Sequence, residues 1–104
     1  MTSPIAAGIP AMALQARELT RAGHTAEAAL LWQRILAADP NHTEALLASA
    51  TQALSRRDPA VALQILQHAA VTAPRDPMVH LYTAVALKEL GRPDEEMAAV
   101  TRAL

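Results

Sequence analysis

The side chains of this chain that could do chemistry are four histidines, ten acidic residues and a few serines. His24, His42, His68 and His80 follow one another at spacings of 18, 26 and 12 residues. None of these is the i,i+4 separation that sets two imidazoles on one helix face as metal ligands. His24 and His42 sit in expected turns, His68 near the outer face of a helix and His80 at a packing position, so a shared metal site is not expected. Asp94-Glu95-Glu96 is the densest acidic run, but successive residues on a helix point in different directions. General acid–base work needs a second group converging from another element. Negative charge at the positive end of a helix accounts for the run and for Asp58 alike. Ser3, Ser49 and Ser55 lie in no Gly-x-Ser-x-Gly elbow, and three glycines are too few for a loop that cradles phosphate. No cysteine supplies a nucleophile, a thiolate ligand or a disulfide, which fits a reducing compartment. The expectation is a chain with no catalytic, cofactor or metal site.

The 104 residues are 52% apolar, enough for the core of one domain, and the aromatics are Trp32 and Tyr82 alone. Alanine makes up about a quarter of the chain, a composition that favours closely packed helices over sheets. Nine Lys and Arg against ten Asp and Glu give a net charge of -1, without the basic excess of a nucleic-acid binder. The N-terminal residues lack the charged and apolar regions of a signal peptide. The longest apolar run, Ala28 to Trp32, is far shorter than the roughly 20 residues of a membrane span. A cytoplasmic protein without nucleic-acid or membrane partners is therefore expected.

Turn residues punctuate the chain at Gly23, Asp39-Pro40-Asn41, Asp58-Pro59, Pro74 to Pro77 and Gly91-Arg92-Pro93. Between them lie six stretches of helix formers, which predict helices near 11–22, 25–38, 42–56, 59–72, 77–90 and 93–103. Asn41 with Glu44 has the form of a capping box, and Asp58-Pro59 and Asp76-Pro77 each set a capping carboxylate before a proline in the first turn. Pro4, Gly8 and Pro10 make residues 1–9 an expected flexible lead-in, with at most Ile5 or Ile9 touching the domain that follows.

Self-similarity carries more. Trp32, Leu66 and Val100 lie 34 residues apart, as do Ala16, Ala50 and Ala84, and Leu19, Ala53 and Leu87. Pro40 returns as Pro74, and Gly23 returns as Gly91 with Arg57 between them. Small residues at Ala16, Ala50 and Ala84 let two helices approach to about 8–10 Å. Large residues at 32 and 66 fill the space between one hairpin and the next. With a helix–turn–helix in each unit, Ala28 four residues before Trp32, and a closing Pro40, the chain over residues 9–104 resembles the tetratricopeptide repeat family. Glu96 departs from the small residue at 28 and 62, Arg57 from the turn glycine, and Met12, Leu46 and His80 from the family's common Trp.

The resemblance implies an all-α, right-handed superhelical stack of three repeats, about 9–42, 43–76 and 77–104, in one domain over 10–104. It also implies that the three first helices line a concave groove that accepts a peptide or a helix. In the repeat register the groove candidates are Arg17, Arg21, Leu47, Thr51, Leu54, Met78, Leu81, Val85 and Lys88. Ala13, Thr20, His24, Glu44, Asp58 and Arg92 share their columns. Cations at both ends of an apolar middle suit an acidic-apolar ligand. The family's clamp for the C-terminal tails of heat-shock chaperones is absent, because Ala13, Arg17, Ala48, Met78 and Tyr82 stand at its places. Met97, Val100 and Leu104 on the last helix form an apolar face that a second copy of the chain would cover, giving a homodimer. The leading expectation is a protein-interaction scaffold with no activity of its own. Two alternatives are an N-terminal accessory domain of a larger enzyme, since the Ala-rich repeats look like those preceding aspartyl/asparaginyl β-hydroxylase-like domains, and a self-associating structural unit.

Overall fold

A computed structural model describes residues 8–104. Within them are six helices and no strand: α1 (Ile9–Arg21), α2 (Thr25–Ala38), α3 (Thr43–Ser55), α4 (Pro59–Thr72), α5 (Pro77–Glu89) and α6 (Pro93–Ala103). Each packs against the next, and α3 also packs directly on α5. No comparable packing joins α1 to α3. The molecule measures 45 × 30 × 20 Å, with a radius of gyration of 14.2 Å. A rounded domain of this length has about 13 Å, so the stack is elongated.

The first helix begins at Ile9, two residues before its expected start. Most of residues 1–9, Ile5 included, lies outside the described residues, but Ile9 opens α1 and packs against the first core cluster. Pro10 does not delay the helix, because a proline in the first turn gives up only an N–H that has no intrahelical partner there.

The 34-residue period reappears in the backbone. At the ends of α1, α3 and α5 the residue two past the last helical one takes a left-handed conformation: Gly23 (φ 88°), Arg57 (φ 59°) and Gly91 (φ 69°). Each time the same pair of hydrogen bonds closes the terminus. The N–H groups of Gly23 and His24 donate to Thr20 and Leu19, those of Arg57 and Asp58 to Leu54 and Ala53, and those of Gly91 and Arg92 to Lys88 and Leu87. This pattern satisfies carbonyls that a helix end leaves orphaned. A Cβ on Gly23 or Gly91 would meet nothing within 4 Å, so glycine is there for its backbone freedom alone.

Helix starts follow local chemistry, with one correction. Asp58 and Asp76 cap α4 and α5 by accepting from the N–H groups of Val61 (3.3 Å) and Met78 (2.9 Å). The expected box of Asn41 with Glu44 does not form. Asp39 Oδ1 instead accepts from the Asn41 N–H at 3.1 Å, a turn that leaves His42 as the cap, its Nδ1 accepting from the Ala45 N–H at 3.2 Å.

The periodic apolar columns form the core. Ala16, Ala50 and Ala84 are buried, and Ile35, Leu66 and Val79 are the largest side chains wholly removed from solvent. Trp32 is 6% exposed and clusters with Ala13, Ala16, Ala28, Ile35 and Ala45, which joins the first hairpin to α3. Leu66 belongs to a second cluster spanning α3 to α6. Val100, the third member of the column, is only half-buried against that cluster. His80 is buried with its need met, Nε2 donating to the Pro74 carbonyl at 2.5 Å.

Candidate binding groove

Because α1 and α3 do not close on each other, a cavity of about 830 Å³ opens between them. Its lining comes from α1, the first half of α2, the length of α3 and the start of α5. Of the expected groove residues, Arg17, Arg21, Leu47, Thr51 and Met78 meet here, with Thr20 and Glu44 from the same columns. Leu54, Leu81, Val85 and Lys88 do not line it. Leu54 packs onto the second core cluster. Leu81, Val85 and Lys88 are exposed on α5 outside the cavity lining. Ala13 is core, while His24, Asp58 and Arg92 occupy the cap positions of α2, α4 and α6.

Several lining residues lay outside the expectation: Tyr82, Ala48, Gln52, Arg56 and the α2 residues Thr25, Ala26, Ala29 and Trp32. Ala48 and Tyr82 are 34 residues apart, so the repeat register contained that column. The contribution of α2 follows from small side chains at 26 and 29, which leave the second helix visible from the concave side.

Charge along the groove differs from a count of arginines. The Arg17 guanidinium grips Glu44 in a fork, Nε donating to Oε2 at 2.6 Å and a terminal nitrogen to Oε1 at 2.7 Å. This pair spans from α1 to α3 across the opening. Its hydrogen bonds hold the Glu44 carboxyl below its ordinary range, against a smaller opposing effect of burial, and push Arg17 further up. Arg17 is thereby neutralised. Arg21 and Arg56 line the cavity with no ion pair among the described residues. Arg92, which shares a groove column by register, pairs with Glu95 on α6.

The four histidines stay apart. His42 lies beside the Trp32 ring with centroids 6.4 Å apart, and His68 Nε2 donates toward the Pro40 carbonyl and Asn41 Oδ1 at 3.2 and 3.0 Å. No group of three or more His, Asp or Glu side chains among the described residues is placed to hold a metal ion. The acidic run Asp94-Glu95-Glu96 occupies the first turn of α6. On the last hairpin Met97 and Leu104 are exposed. No helix among the described residues is long and apolar enough to cross a membrane.

No family model matches the sequence, and no curated protein matches it. Among solved structures the fold is similar to the crystal structure of the Yersinia enterocolitica type III secretion translocator chaperone SycD in its alternative dimer. The TM-score is 0.81 at 16% identity, over 92% of this chain and 73% of that one. At that identity the likeness is one of fold: an all-helical, tetratricopeptide-like stack of packed repeats.

Proposed function

We propose that this chain is a protein-interaction module that accepts a peptide segment or a helix in the groove between α1, α3 and α5. The observation that carries this reading is the open cavity of about 830 Å³, whose floor combines Leu47, Ala48, Met78 and Tyr82 with the hydroxyls of Thr20, Thr25 and Thr51. Apolar walls with a few polar groups are the common make-up of a binding cleft, and the volume suits several side chains of a partner. The similar structure is named as a chaperone, a protein whose ligands are proteins, which supports the same class of partner here. Tails of heat-shock chaperones do not fit the groove. Of the residues at the clamp's places, Ala13 is buried and Arg17 is already bound to Glu44.

Selection of a phage-displayed random peptide library on the immobilised protein tests the reading. Selected peptides bind the wild type, lose affinity about tenfold or more on Met78→Glu in the groove, and keep it on Val71→Glu, which alters an outer residue 80% exposed on α4. A library that yields no binder, or binders indifferent to Met78→Glu, would overturn it.

One observation favours self-association as a second property of the module. Leu81, Val85 and Met97 on the last hairpin are 42%, 43% and 67% exposed. A second copy of the chain would cover these exposed apolar side chains, and the similar structure is itself described as a dimer.

A further inference from the structure

We infer that the groove selects a protein segment with an acidic side chain beside apolar ones, and that its carboxylate is held by Arg21 and Arg56. The inference rests on the peptide-binding reading and adds the chemistry of the ligand. Three of the chain's nine Lys and Arg residues line the cavity, against one of its ten acidic residues. That single carboxylate, Glu44, is consumed by Arg17. Two positive charges therefore remain in the lining of a chain whose overall charge is -1, an excess that global composition conceals.

Both free cations lie at corresponding helix ends. Arg21 is the last residue of α1 and Arg56 the first beyond α3, one position from a 34-residue match. At these ends the carbonyls of Leu19, Thr20, Ala53 and Leu54 already accept from the N–H groups of His24, Gly23, Asp58 and Arg57. The start of α2 also contributes to the cavity, through Thr25 and Ala26. Its cap residue, His24, makes no side-chain hydrogen bond to the first-turn N–H groups, so the positive end of that helix is left uncapped. Two guanidinium groups in the lining of one cavity, neither of them in an ion pair, attract a carboxylate, which Arg can bind through two parallel hydrogen bonds. Leu47, Met78 and Tyr82 extend the groove toward α5, so the apolar side chains of the ligand lie on that side of the acid.

Sequencing of the peptides selected from a phage-displayed random library on three proteins tests this. On the wild type, Asp and Glu are enriched about fivefold over the input library, and raising the salt during selection reduces the enrichment. The neutral pair Arg17→Gln with Glu44→Gln retains it. Arg21→Glu with Arg56→Glu, confirmed as folded by circular dichroism, reverses it toward Lys and Arg. Apolar peptides without acidic enrichment on the wild type would overturn this inference while leaving the peptide groove intact, as would loss of the enrichment in the neutral pair or its survival in the charge reversal. Failure to select any peptide would overturn both.

Discussion

Trp32 is the largest side chain of the core cluster that joins the first hairpin to α3. It clusters with buried residues of α1, α2 and α3, lies with its ring centroid 6.4 Å from that of the His42 cap, and contributes to the groove lining. In an alanine-rich core its neighbours are too small to fill the space that a truncation would leave, so a cavity would persist. Trp32→Ala is expected to cost about 3–5 kcal/mol, a large part of the stability of a domain of this size. Urea denaturation followed by circular dichroism measures it, and a midpoint close to that of the wild type would contradict the packing described. As the sole tryptophan, Trp32 also reports binding by its own fluorescence. Its burial was legible in the sequence, because the 34-residue column it shares with Leu66 marks the space between hairpins. The fate of Arg17 was not. The register places Arg17 and Glu44 in the groove lining separately, but nothing in a linear pattern shows that 27 intervening residues bring a guanidinium and a carboxylate to 2.6 Å.

Helix termini show how much local sequence decides at the level of elements. The prolines and aspartates at 58–59 and 76–77 start α4 and α5 where expected, since both the cap and the proline act within one turn. The capping box at Asn41 failed because Asp39 competes for the same stretch through its own turn. Arg57 is the exception among the three left-handed termini, a side chain where its counterparts are glycine. A left-handed backbone costs a residue with a Cβ roughly 1–2 kcal/mol, partly offset by the greater freedom of glycine in the unfolded chain. Arg57→Gly is therefore expected to stabilise the protein by about 0.5–1 kcal/mol. A fall in melting temperature would show that Arg57 makes a contact worth more than its strain.

The tie between α1 and α3 has its own signature. The folded state holds the Glu44 carboxyl below its ordinary value of 4.5, so the pair adds stability that is fully present above the unfolded value. That stability is lost as the pH falls through the folded one. The wild type then exceeds Glu44→Gln slightly in stability at neutral pH, by an amount that salt reduces, and converges on it as the pH falls below the lowered Glu44 value. Equal stability of the two proteins across the whole range would mean that the fork contributes nothing.

At the scale of the whole molecule, stability is distributed unevenly along the stack because each helix buries itself only against its neighbours. α3 has four buried residues and α5 five, whereas α6 has Ala99 alone. The columns that are fully buried at Leu66 and Ala69 become half-buried at Val100 and Ala103. Glu96 stands where Ala28 and Ala62 are buried in the earlier units, which further weakens this end. Amides of α6 are expected to exchange with solvent faster than those of α3 and α4. Association changes that order, since a second copy covering Leu81, Val85 and Met97 would protect α5 and α6 while leaving α1 unaffected. Two-fold pairing suits such a face, because two identical ends cover each other and leave no surface for further growth. Sedimentation equilibrium over a tenfold or wider concentration range, combined with hydrogen exchange at its two extremes, measures both effects. The expected result is a mass that rises with concentration alongside slower exchange in α5 and α6, and Val85→Glu with Met97→Glu abolishes both changes. A constant monomeric mass, or association unaltered in that variant, would show that the last hairpin is stable with its apolar stripe in water.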